Sequence, residues 1–232
     1  LFLGSGSVIH SMSDEQDIKK MGGLYNKIPL TYITMLIGSF SLVGLPFFSG
    51  YYSKDLILEI LFLDNSKFGF YIFVIGVVGV LFTSIYSFRL LFYVFHGKSN
   101  ADEKVLAHIH ESPLIMLIPL IILSVFAVFF GMFSYTIFTE IGFLNLWSDN
   151  MYVNKNLDGT FIDKNVPILF KKLPLFMIIT GGLIVYFLYF YLKQILPFIK
   201  LKLSFIYNFF KNKWYIDELY EKLFINSSFF LG

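Results

Sequence analysis

From Pro29 to Leu63 the chain runs for 35 residues with three charges, Lys54, Asp55 and Glu59, all in the final stretch of the run. One straight helix of that length would reach roughly 50 Å, at about 1.5 Å per residue. The hydrocarbon core of a bilayer is about 30 Å thick and takes about 20 residues. The run is too apolar for a water-exposed element and too long for a single span, so it must break. Gly44, Pro46 and Gly50 stand together where the break is needed. Proline removes a backbone donor and clashes with the preceding turn, and glycine reaches dihedrals that other residues avoid.

Interrupted backbone inside a bilayer survives only where protein or a water-filled cavity satisfies its polar groups. A break beside a buried Lys54–Asp55 pair is the pattern of an ion or proton site in a transporter. The competing reading is two short helices joined at the membrane surface, with Lys54 snorkelling to lipid headgroups.

The rest of the chain reads as an all-α integral membrane protein with one discontinuous transmembrane helix. Residues 1–10 are apolar but far too short to span, and read as the end of a transmembrane helix. Residues 11–28 form a polar loop, and 29–63 the discontinuous helix. Transmembrane helices follow at 68–95 and 113–139. A long connection, 140–172, carries Asp158-Gly159 at the centre of a candidate β-hairpin. A span at 173–193 comes next. In 199–232, Lys200, Ser204, Asn208 and Lys211 form one polar stripe, which predicts an amphipathic helix in the interface and the start of a lateral element. Alternate loops carry eleven basic residues on one side and five on the other, which puts the richer side, with the loop 11–28, in the matrix or cytoplasm.

The chain holds no cysteine, which excludes disulfides, iron–sulfur ligation and thiolate zinc sites in these residues. No phosphate-binding or dinucleotide glycine motif occurs, and a net charge of +2 without a basic patch gives no case for nucleic acid. His108, His110 and Glu111 lack a fixed further ligand and read as an exposed loop, so no metal site is expected. Thirty Phe against one Arg and three Ala point to an A/T-rich genome such as an organelle's.

Two blocks, GSVIHSMSDEQDIKKMGGL (Gly6–Leu24) and GSFSLVGLPFFSGYYSKDLILE (Gly38–Glu59), stand at a spacing that carries a resemblance. Together with TSIYSFRLL (Thr83–Leu91) and NKWYIDELY (Asn212–Tyr220), they closely resemble the C-terminal part of the subunit-5 family of mitochondrial NADH:ubiquinone oxidoreductase, respiratory complex I. The resemblance covers essentially the whole chain, more weakly in the loops. It implies an antiporter-like, proton-translocating subunit of the membrane arm, in the mitochondrial inner membrane. In that family the lysine of the second broken helix is a titrating centre, and the aspartate beside it leads towards the outer exit. Lys54 and Asp55 match those positions.

The family's first inverted repeat has no counterpart here, nor has most of its lateral helix. The resemblance therefore implies a subunit encoded in pieces, or a shortened chain, with a partner chain supplying the first repeat and other membrane-arm subunits and lipids as neighbours. NADH, FMN, iron–sulfur clusters and ubiquinone are expected elsewhere in that assembly and not on this chain.

Lys54 and Asp55 are accordingly the candidate proton-transfer residues, with a fixed counter-ion as the alternative for Asp55. Glu59, one helical turn beyond Asp55, is a candidate relay. His10, by the general proton-shuttling chemistry of imidazole, is a second. Arg89 is a candidate for pathway lining, against an ion-pair or headgroup anchor. Two other functions stay open: a subunit of a multi-subunit cation/proton antiporter, marked by sodium-dependent transport without NADH, and a structural membrane-arm piece that does not pump.

Overall fold

A computed structural model describes residues 1–63, 68–101, 103–137, 166–192 and 194–231, and every regular element among them is helical. The chain divides into two units, Leu1–Tyr186 and Phe187–Gly232. The first holds α1 (Phe2–Ser11), α2 (Pro29–Val43), α3 (Ser49–Leu63), α4 (Gly69–Phe95), α5 (Glu103–His108), α6 (Leu114–Tyr135) and α7 (Ile168–Tyr186). Three runs are long and apolar enough to cross a bilayer: Gly69–Phe95, Leu114–Tyr135 and Ile168–Tyr191. The protein is a multi-pass α-helical membrane protein.

The apolar run that opened the sequence analysis is two helices. Pro29 sits at the start of α2, where its missing N–H would have no helical partner anyway. Gly44 ends α2 in the left-handed region at φ 91°, with its N–H on the Phe40 carbonyl. Phe47, at φ 76°, lies in the turn between the two arms. Each arm has 15 residues, about 22 Å of helix, so neither crosses the hydrocarbon core alone. The restart is pinned to α6. The Ser49 hydroxyl lies 3.0 Å from the Phe126 carbonyl and 2.9 Å from that of Ala127, and accepts the Gly131 N–H at 3.0 Å. A Cβ on Gly131 would stand 2.3 Å from the Ser49 Cα, so only glycine allows this approach.

α2 and α3 pack between α4 and α6, and α4 lies along α7. Ser84 of α4 donates to the Ile178 carbonyl of α7 at 2.7 Å, beside buried Val77 and Val80. At the far end Leu24, Ile28, Met35, Leu91 and Phe95 close a second core. Outward faces remain apolar, as Ile115, Phe129 and Met132 of α6 show. That suits lipid rather than water.

Several boundaries differ from the sequence reading. α7 begins at Ile168 rather than 173, because Pro167 starts a turn whose carbonyl accepts the Phe170 and Lys171 N–H groups. Lys171 and Lys172 are therefore helical, not part of the connection 140–172. The hairpin candidate and the end of the 113–139 span lie outside the described residues. The polar loop after α4 contains α5, and residues 11–28 contain two 3-10 turns, Ile18–Lys20 and Leu24–Asn26. Asp17 caps the first of these, accepting the Lys19 N–H at 2.9 Å.

In the second unit the amphipathic stretch is not one helix. The backbone leaves helical dihedrals at Leu203 (φ −107°, ψ 34°), between Ile195–Lys202 and Ser204–Lys211. No glycine or proline marks that step, so periodicity alone runs through it. Positive φ values at Lys213, Trp214 and Tyr215 turn the chain again before Ile216–Tyr220.

Candidate functional site

The last carbonyls of any helix have no partner within the helix, and inside a bilayer they find little water. At the end of α2 the partner is Lys54. Its ammonium donates to the Leu42 carbonyl at 2.6 Å and reaches that of Val43 at 3.4 Å. Lys54 stands one turn into α3, so its side chain folds back across the break onto the other arm. A cation there also meets the negative end of the α2 dipole. The Lys54 side chain is not sealed off. It is half-buried, and on one flank lies a cleft of about 210 Å³ that includes Gly76, Gly79 and Thr83 of α4.

Asp55 points the other way around α3. The Tyr51 hydroxyl, one turn earlier, hydrogen-bonds its carboxylate. One turn later Glu59 pairs with Lys171 of α7, Nζ to Oε1 3.7 Å. Tyr51, Asp55 and Glu59 thus share one face of α3 at four-residue steps. That face borders a cavity of about 150 Å³ whose walls also include Tyr52, Tyr135 and Lys171. Such a volume, lined by hydroxyls and carboxylates, has room for several waters.

The sequence candidates do not all converge. Lys54, Asp55 and Glu59 are brought together on α3. His10 is exposed in the last turn of α1 and borders neither of these cavities. Arg89 is exposed on α4 with its guanidinium 5.8 Å from the centre of the Tyr93 ring, a cation–π contact one helical turn away. Glu111 does not act with the histidines beside it. It accepts the Leu30 N–H at 2.9 Å and the Thr31 hydroxyl at 2.6 Å, capping the start of α2. Buried Ser7 and Ser112 continue that contact, each hydroxyl bonded in the chain Thr31–Ser7–Ser112.

The geometry adds Lys171 and Tyr51 to the candidate set. Tyr51 was legible as the residue one turn before Asp55. Lys171 carried no such signal, since its contact joins residues 112 positions apart.

His96, just beyond α4, meets Tyr32 at 3.1 Å and stacks on Tyr25, and burial pushes its imidazole below the usual histidine range. In the loop 11–28 the Lys20 ammonium, 2.7 Å from Glu15, holds that exposed carboxyl below the usual carboxylate range.

Residues 1–83 match the family described as NADH:quinone oxidoreductase/Mrp antiporter, transmembrane. The matched stretch contains both arms of the broken helix and all of Lys54, Asp55 and Glu59. The chain is 43% identical over 231 residues to NADH-ubiquinone oxidoreductase chain 5 of Phytophthora infestans, covering 97% of this chain and 34% of that protein. To the protein of the same name from Marchantia polymorpha it is 38% identical over 224 residues, covering 95% and 33%. To that of Acanthamoeba castellanii it is 38% identical over 240 residues, covering 100% and 35%. The chain spans about a third of the length of the curated relatives it matches.

Proposed function

We propose, from its likeness over residues 1–83 to the NADH:quinone oxidoreductase/Mrp antiporter membrane family and over nearly its whole length to NADH-ubiquinone oxidoreductase chain 5, that this chain forms the second broken-helix half of a proton-translocating chain-5 subunit of respiratory complex I. Its setting is then the mitochondrial inner membrane, and its partners are the other membrane-arm subunits. NADH, FMN, iron–sulfur clusters and ubiquinone belong to other parts of that assembly. With no cysteine, these residues offer an iron–sulfur cluster no thiolate.

The observation that carries the proposal is the Lys54 ammonium 2.6 Å from the Leu42 carbonyl, across a break between two half-length helices. Two opposing effects act on its charge. Withdrawal from water disfavours an ammonium, while the carbonyl end of α2 and the adjacent Asp55 favour it. A change in either, through water entering the cleft or a shift between the arms, moves a proton on or off Lys54. The proton then has acceptors in order along α3: Asp55, hydrogen-bonded by Tyr51, and then Glu59.

The test replaces Lys54 in the assembled complex. Lys54→Met removes the titrating group, and Lys54→Arg keeps a charge that does not leave at physiological pH. Both should retain assembly and NADH oxidation while lowering proton transport into membrane vesicles. Parental proton transport in both would refute the proposal and favour a structural piece. Sodium-dependent transport without NADH would favour a cation/proton antiporter subunit, the other activity in the family's description.

A further inference from the structure

Lys171 lies outside every motif in the sequence, yet it reaches from α7 to the carboxylate that ends the polar face of α3. The two side chains of the pair differ in exposure: 11% for Glu59 and 36% for Lys171. The carboxylate is therefore the inner member and the ammonium the outer one. A carboxylate this enclosed is disfavoured as an anion unless a cation or hydrogen bonds support it. Lys171 supplies the cation, and Tyr51, Tyr52 and Tyr135 border the same cavity without bringing a positive charge. Among the described residues the other charge bordering it, Asp55, is a second carboxylate, which further disfavours ionising both at once.

We propose that Lys171 is the positioning residue that keeps Glu59 ionised, and so ready to accept the proton that leaves Asp55. The inference rests on the proton-translocation reading above and deepens it by assigning the outward acceptor and its support. In the step, the proton on the Asp55 carboxyl passes through water in the cavity to the Glu59 carboxylate. Asp55 returns to the anion, Glu59 becomes neutral, and Lys171 keeps its three protons throughout. Neutralising Glu59 removes the charge attraction between the two side chains. Loss of the proton from Glu59 to water on the Lys171 side restores the pair and leaves the acceptor empty for the next transfer. Asp55 and Glu59 are one helical turn apart, with Cβ atoms about 6 Å from each other, a gap that one water bridges.

The experiment uses the assembled complex in membrane vesicles, with Lys171→Gln, Lys171→Met and Lys171→Arg beside Lys54→Met. Infrared difference spectra report protonated carboxyls, and NADH-driven acidification reports transport. Lys171→Gln and Lys171→Met should each add a protonated-carboxyl band that disappears when Glu59→Gln is combined with them. Their proton-transport rate should fall by roughly ten-fold or more, the scale of a lost proton-transfer step. Lys171→Arg should restore both readouts, which a merely structural contact would not require. An unchanged carboxyl spectrum with parental transport in Lys171→Gln overturns the inference, as does an arginine variant that fails like methionine in a fully assembled complex. If Lys54→Met loses transport while the Lys171 variants do not, only this inference fails. If Lys54→Met transports normally, the reading beneath it fails.

Discussion

Gly50 offers the sharpest perturbation of the break. A Cβ built there would lie 1.8 Å from the Ser41 carbonyl oxygen, and side-chain carbons essentially never come within 3.0 Å of a neighbour. The obstacle is backbone on the opposing arm, not a flexible side-chain end, so Gly50→Ala must drive α2 and α3 apart by about 1.2 Å. Overpacking of this kind costs about 1–3 kcal/mol. The displacement matters more than the energy. Lys54 is one turn from Gly50, and its contact with Leu42 is 2.6 Å. A matching shift lengthens that contact to roughly 3.8 Å, beyond a hydrogen bond. Gly50→Ala should therefore lower the apparent melting temperature in detergent and reduce proton transport together, with Lys54 unaltered. Gly6→Ala is the control, because a Cβ at Gly6 meets nothing within 4 Å. If the Gly50 and Gly6 variants melt and transport alike, the two arms do not touch as described, and the link between the break and Lys54 fails.

Two further outcomes follow from the other end of α2. Glu111→Ala leaves the Leu30 N–H and the Thr31 hydroxyl without their acceptor, a lost helix cap worth about 0.5–2 kcal/mol. Glu111→Gln keeps an accepting oxygen and should lose less, as thermal unfolding in detergent would measure. His96 should make the protein acid-sensitive. Its folded imidazole titrates below the ordinary value near 6.5, so the unfolded chain takes up the proton first. This contribution to stability is complete above that value and is lost as pH falls through it towards the lowered folded one. In His96→Phe the fall in melting temperature between neutral pH and pH 5 should be shallower.

Much of the site was legible in the sequence because it rests on local chemistry. Gly44 and Pro46 cannot continue a helix comfortably, Gly50 lets the restarted helix approach Ser41, and three charges in an apolar run have few places to go. The shared face of Asp55 and Glu59 follows from four-residue spacing, and the same spacing links Arg89 to Tyr93, where the sequence reading offered pathway lining or an ion-pair or headgroup anchor. Lys171 was hidden for a different reason. A hydropathy reading ends a span at its first charges, whereas a helix forms wherever its backbone bonds close, and α7 therefore starts before the two lysines. Glu111 was hidden because its contact joins residues about 80 apart; nothing local distinguishes a capping glutamate from a solvated one. At Leu203 the backbone changes direction without any residue that announces it.

The two ends of α2 show why an ionisable lysine belongs at this break. A half-length helix in a bilayer leaves unpaired N–H groups at one end and unpaired carbonyls at the other. At its start these groups meet the loop before α6, and the acceptor is Glu111, near enough to the polar connection for water to help. At its end the carbonyls of Leu42 and Val43 face the interior of the span, where Lys54 serves them. A neutral polar side chain could donate there too, but its bonds would not change with protonation. An ammonium makes charge-assisted bonds roughly twice as strong as neutral ones, and these weaken when the proton departs. Those carbonyls then require water, and water entering the break favours the return of a charge. On the proton-translocation proposal, protonation of Lys54, hydration of the break and the spacing of the two arms are coupled through the same two carbonyls.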